Sequence, residues 1–310
     1  MPELGGGPSL ATRRVRLARR VVSLLRRALT GPPEVVLDVA YRAILQRAPD
    51  AHARRDYLPL LKDGRLSVEQ LGRRLVESEE FAAWAAHQDL GLSLHASRAA
   101  FVRGLPRAQR ILDLGGTDLG HEHGALVTLG YPYPFEELLI VDLPPEQRHP
   151  HYALGGHQQE VPIGRGLVRY AQHSMVELDR YPPDAFDLVY SGQSIEHIPL
   201  ADADRMLQGA WRVLRPGGWL GLDTPNARLT RRQSPTALID PDHCHEYQAE
   251  ELQEKLEAAG FELVERKGLV LGLEVLAQPG FDAAALARHP GVFAEAESCY
   301  ALAFLCRKPA

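Results

Sequence analysis

The sequence predicts an α/β fold: a mostly parallel sheet flanked by helices, preceded by a small all-α domain. Three observations predict it. Short apolar runs recur between helical patterns at the spacing of strand–helix units. The first run closes in an acid and a glycine pair, Asp113-Leu114-Gly115-Gly116, the way a buried parallel strand enters a tight turn before a helix. Upstream of it, residues 34–84 show helical spacing alone.

Residues 1–11 read as a glycine-rich tail, and residues 12–29 change character. Arg13, Arg14, Arg16, Arg19, Arg20, Arg26 and Arg27 interleave with apolar side chains and no acid interrupts them. Arg26-Arg27 breaks the apolar core that an export signal requires. The segment reads as a basic amphipathic helix making peripheral contact with an anionic membrane or an acidic partner, or packing its apolar face on its own protein. Gly31-Pro32-Pro33 is a break. Helices are expected at 34–46, 51–63 and 67–83, the last opened by a capping box from Ser67 to Gln70. Residues 85–109 connect into the core. Strands are then expected near 110–114, 138–141, 166–172, 186–190 and 219–223, with a helix at 205–214 before the last. A helix at 252–259 capped by Gly260 precedes two alternating runs, 261–266 and 300–306. The insert 272–298 between them would lie over the pocket mouth. The boundaries are thus 1–31, 32–86 and 87–310.

A chain of 310 residues accommodates one full α/β domain and a smaller module. With 45% hydrophobic and 24% charged residues, global disorder is not expected. A net charge of -5 gives no reason to expect nucleic acid as a partner. Three cysteines without a CxxC pair argue against a disulfide framework or a zinc cluster and fit a reducing cytoplasm. No run of 18 apolar residues suggests a membrane span.

Gly115 and Gly116 let the backbone take unusual dihedrals and let a flat ligand lie against it. The run at 138–141 ends at Asp142, placed to accept hydrogen bonds from a ribose diol, and Leu143 follows it. The strand at 186–190 opens into Ser191-Gly192-Gln193-Ser194-Ile195-Glu196-His197, and Leu-Arg-Pro-Gly-Gly precedes Asp223-Thr224-Pro225-Asn226. This ordered set resembles the class I methyltransferases that use S-adenosylmethionine, over roughly residues 100–306. The resemblance implies a Rossmann-like, seven-stranded, mostly parallel sheet with an antiparallel last strand. One departure is Thr117, where the family's second glycine stands. For the cofactor the resemblance implies Asp113 orienting the glycine turn or receiving the methionine ammonium, with Ser174 and Met175 flanking adenine. Ser191 and Gln193 would face the methionine part.

Methyl transfer from a sulfonium is an in-line displacement, so holding donor and acceptor in line carries much of the acceleration. A hydroxyl acceptor must also lose its proton, to a general base or with the help of a metal ion. Glu196 and His197 are candidates, with His197 as base or as a helix cap packed against adenine. Quinone-pathway methyltransferases resemble this stretch and hold a divalent metal with Glu-x-x-Glu-His; Gln193 stands at the first Glu position. A second cluster is Asp240-Pro241-Asp242-His243-Cys244-His245-Glu246-Tyr247. It resembles a signature near the acceptor pocket, with His243 as base or ligand. His243 and His245 alternate, so an extended segment would point both one way. The metal candidates are therefore Glu196, His197, His243 and His245, with an ion such as Mg. His121, His123, His149, His151 and His157 are further polar lining or plain surface.

Residues 34–84 resemble a small bacterial helical domain of unknown function, similar to phycobilisome-linker modules, that often accompanies glycan-modifying enzymes. The expected function is an S-adenosylmethionine-dependent O-methyltransferase acting on a sugar hydroxyl of a glycan or glycolipid. The alternatives are a methyltransferase of a small metabolite, such as a natural product or quinone, and a non-catalytic scaffold with a degenerate fold.

Overall fold

A computed structural model of the protein describes residues 31–118, 120–147 and 160–310. The basic segment 12–29 and the candidates His149, His151 and His157 lie outside the described residues. The chain divides into two compact units, one ending at Asp89 and one spanning Leu90–Ala310.

In the first unit, helices Pro33–Leu45, Ala51–Lys62 and Val68–Val76 bury Leu37, Ala40, Ile44, Leu71 and Leu75 with Phe81. Ser67 and Gln70 form the expected reciprocal cap. Asp50 caps the second helix by accepting from the Ala53 amide at 2.8 Å. The single helix expected at 67–83 is instead two. The chain breaks at Glu77-Ser78, and the Ser78 hydroxyl accepts from the Phe81 amide at 3.1 Å, restarting it as Glu79–Arg103.

The second unit is built on one nine-stranded sheet. Its strands are β1 (Arg110–Leu114), β2 (Glu137–Asp142), β3 (Glu160–Ile163), β4 (Gly166–Gln172), β5 (Phe186–Gly192), β6 (Leu214–Pro225), β7 (Glu262–Leu271), β8 (Val292–Phe293) and β9 (Cys299–Arg307). The order is β3-β4-β2-β1-β5-β6-β9-β7-β8. From β4 to β6 every pairing is parallel, and β9 runs antiparallel to both β6 and β7. These seven strands are the mostly parallel sheet with an antiparallel last strand that the sequence predicts. The two additions are edges. β3 folds back on β4 through Gly164-Arg165, and its Pro162, which cannot donate to a ladder, suits an outer strand. β8 is two residues inside the 272–298 insert, too short to show an alternation.

Successive residues of β1 feed opposite faces. Leu112 and Leu114 join Met206, Leu207, Leu252 and Leu256 of the helices Leu200–Val213 and Ala249–Ala258. Ile111 joins Phe101 and Val102 of the helix Glu79–Arg103 and Leu126 of the helix Gly124–Thr128. The chain leaves β1 for β2 on one side and returns to β5 on the other, so strand order reverses at β1. Ligands of open α/β sheets bind outside the strands' carboxyl ends at such a reversal.

Candidate active site

The glycine turn after β1 is shaped by its neighbours. Gly115 has φ +75°, a conformation that favours glycine, and its amide donates to the Val141 carbonyl at 2.8 Å. A Cβ on Gly115 would fall 2.7 Å from the Ser194 Cβ and 3.6 Å from the Met175 methyl. A Cβ on Gly116 would fall on the Asp113 carboxylate, at 2.1 Å. Asp113 is fully buried beneath the turn, and neither carboxylate oxygen has a hydrogen-bond partner among the described residues. Burial pushes its pKa up to about 7. At the end of β2, Asp142 is half-buried and accepts from the Leu143 amide at 2.8 Å, while Leu143 is exposed.

Ser194 stitches this turn to the loop after β5. Its hydroxyl reaches the Leu114 carbonyl at 2.8 Å and the Ser191 hydroxyl at 2.7 Å. The next three residues form one turn of 3-10 helix, Ile195–His197. Glu196 is buried; its Oε2 accepts from the Thr224 hydroxyl at 2.9 Å, and its Oε1 has no partner among the described residues. Burial raises its pKa to about 7. His197 is exposed, with Nδ1 3.2 Å from the Asp242 carbonyl oxygen.

The loop after β6 is pinned on the same turn. The Cys244 and His245 amides donate to the Glu196 carbonyl at 2.7 and 3.1 Å. His243 Nδ1 lies 2.8 Å from Glu246 Oε1, which also accepts from the Ile239 amide at 2.8 Å; Glu246 Oε2 takes the Thr230 hydroxyl. Burial works against charge on His243, but the Glu246 bond and the nearby Glu196 and Glu246 charges outweigh it and raise its pKa. Burial, and then the charge of His243, lower that of His197. The two rings meet edge-to-face with centroids 4.8 Å apart. Glu196, His197 and His243 each bring one donor atom to a site where all three lie within 4.8 Å of one another.

A model of the methyltransferase domain matches residues 80–266. The chain belongs to this methyltransferase family. A relative from Mycolicibacterium smegmatis, named as a probable S-adenosylmethionine-dependent methyltransferase, is 39% identical over 116 residues. That match covers 37% of this chain and 41% of the relative. A similarly named Mycobacterium tuberculosis protein is 38% identical over 105 residues, 34% of this chain and 37% of its own length. The match thus spans about two fifths of the length of these curated relatives. A solved S-adenosylmethionine-dependent methyltransferase from Thermotoga maritima is 18% identical, with a TM-score of 0.49 over 74% of this chain and 94% of its own.

S-adenosylmethionine is the cofactor of these methyltransferases, and the residues present fit it. The carboxyl ends of β1 and β2 offer a buried carboxylate behind the glycine turn, a turn that admits no side chain, and an acid at the end of β2.

Four of the expected site residues are engaged within the protein. Ser191 is fully buried and paired with Ser194, so it supports the turn. Gln193, at φ +54°, turns its amide onto Asp223 Oδ1 at 2.9 Å. The Ser174 hydroxyl is engaged locally with the Val176 amide at 3.3 Å. His245 leaves the metal set: a bend at Cys244 breaks the alternation, and its Nε2 meets Glu251 Oε1 at 2.7 Å.

Sequence reasoning left Asp223 and Arg98 without roles. Asp223, fully buried at the end of β6, receives the Arg98 guanidinium at 2.7 Å, the Tyr190 hydroxyl at 2.5 Å and the Gln193 amide. An acid closing an apolar strand was a visible signal for Asp223. Arg98 lies on a helix 125 residues earlier and carried none.

Proposed function

We propose that the protein is an S-adenosylmethionine-dependent O-methyltransferase acting on a sugar hydroxyl of a glycan or glycolipid. The observation that carries O-methylation is the convergence of Glu196, His197 and His243 beside the glycine turn. Amine acceptors can attack through a lone pair once deprotonated by water, but a neutral hydroxyl must lose its proton during attack. Three proton-accepting side chains at the acceptor end answer that need. Asp113 takes the methionine ammonium, Asp142 the ribose diol, and Leu143 and Met175 border adenine. The acceptor oxygen bonds to the sulfonium methyl as the carbon–sulfur bond breaks, leaving S-adenosylhomocysteine, and the hydroxyl proton departs at the cluster.

The glycan part of the reading rests on the resemblance of residues 34–84 to modules that often accompany glycan-modifying enzymes, and on reading the basic segment 12–29 as a contact with an anionic surface. Among the described residues no helix is long and apolar enough to cross a membrane. The test is mass spectrometry of glycans and lipids from cells with and without the protein. Loss of one methyl from a sugar on deletion, restored by the wild type and not by a Glu196→Gln/His243→Ala variant, is the expected result. An unchanged glycan and lipid profile alongside a methyl lost from a small metabolite would transfer the assignment to that metabolite.

A further inference from the structure

We infer that Glu196, His197 and His243 hold a divalent transition-metal ion. Hydrogen-bond partners decide which nitrogen of each ring is engaged. The Asp242 carbonyl can only accept, so His197 Nδ1 facing it at 3.2 Å is the N–H. Glu246 Oε1 already accepts from the Ile239 amide, and His243 Nδ1 at 2.8 Å donates to it as well. Each neutral ring therefore keeps Nε2 as a bare lone pair. Glu196 Oε1 is buried with no donor on it. One donor atom from each of the three side chains lies within 4.8 Å of the other two, close enough for all three to share one ion. Of the three, Glu196 Oε1 is the buried acceptor without a partner among the described residues, and a cation would satisfy it.

The surroundings match a ligand set. Histidines that bind metal ordinarily give their second nitrogen to a carboxylate or a backbone carbonyl, which fixes tautomer and ring direction. His243 does the first and His197 the second. The backbone bonds from Cys244 and His245 to Glu196 lock the two loops together before any ion arrives. His243, from the loop after β6, completes the set, whereas Gln193 is committed to Asp223. Two imidazoles and one carboxylate suit a borderline ion such as Zn²⁺, Mn²⁺ or Fe²⁺ better than the Mg²⁺ expected from the sequence, which prefers oxygen. Three protein ligands leave an open position. On the methyl-transfer reading, the acceptor hydroxyl enters there, its proton passes to solvent, and its oxygen attacks the sulfonium methyl with loss of S-adenosylhomocysteine.

The test is binding of the metal alone, without cofactor or acceptor, so its outcome is independent of methyl transfer. Chelator-stripped full-length protein is dialysed against Zn²⁺ and, separately, titrated with Co²⁺ while its visible ligand-field bands are followed. The expected result is one ion per chain, with affinity lowered about tenfold or more in His243→Ala and in Glu196→Gln and unchanged in His245→Ala. Circular dichroism of each variant checks the fold. No retained ion in the wild type, or equal retention in a folded Glu196→Gln/His243→Ala variant, would overturn the assignment and leave a proton shared on Glu196 as the occupant.

Discussion

Gly115 and Ser194 approach so closely that the glycine turn and the Glu196-bearing loop form one unit: a Cβ on the glycine would sit 2.7 Å from the serine's Cβ. On the proposed function, the contact joins the donor end of the site to its acceptor end. Gly115→Ala is expected to lose both. The clash costs about 1–3 kcal/mol, on top of the strain of φ +75° for alanine. A lowered melting temperature, with weakened S-adenosylmethionine binding and turnover together, is the expected outcome. Normal cofactor affinity in this variant would separate the two ends.

Asp113 sets a pH dependence. Its folded pKa of about 7 lies above its ordinary 3.8, so between those values the folded state holds more protons than the unfolded one. Asp113's contribution to the stability of the cofactor-free protein is therefore fully present below about pH 4 and lost as pH rises to about 7. Asp113→Asn removes that loss. Its apo form is expected to be more stable than wild type at pH 7.5, by up to about 4 kcal/mol at 1.36 kcal/mol per pH unit, with the difference vanishing at pH 4. Cofactor binding should weaken in the same variant. Denaturant melts at the two pH values check the sign.

The Arg98–Asp223 pair is buried, with side chains 16% and 0% exposed. Removing one partner strands the other charge, at about 3–5 kcal/mol. Asp223→Ala is expected to fall in that range, and Arg98→Met/Asp223→Leu to recover part of it. A double-mutant cycle by denaturant unfolding measures the coupling, and additive losses would deny it.

Asp142→Ala removes the acid from the end of β2. A hydrogen bond to a charged group contributes about 1.5–3 kcal/mol, so cofactor affinity should drop about ten- to a hundredfold. Turnover at saturating cofactor should change little. A large fall in kcat with unchanged affinity would move Asp142 out of the ribose site.

The legible parts of this molecule are those set by local chemistry. Apolar strand runs announced β1, β2, β4, β5 and β6, and Asp113-Leu114-Gly115-Gly116 announced the turn because a tight, close-packed turn excludes side chains. Both halves of the Glu196–His197–His243 cluster were visible as separate motifs, Glu196-His197 and His243. What joins them is the backbone pinning of Cys244 on Glu196, which no periodicity encodes. His245 misled because alternation holds only in extended chain, and a bend intervenes at Cys244. The partners of Ser191 and Gln193 were not legible, because position at a strand end does not fix which way a side chain turns. Arg98 was hidden by distance along the chain, and β3 and β8 by brevity.

The most direct measurement is calorimetric titration of S-adenosylmethionine into the wild-type protein and into an Asp113→Ala/Asp142→Ala variant of intact fold. Saturable binding of one cofactor per chain, abolished in the variant, is the predicted result. Absence of binding to the wild type, or equal affinity in the variant, would contradict a cofactor crevice at the carboxyl ends of β1 and β2.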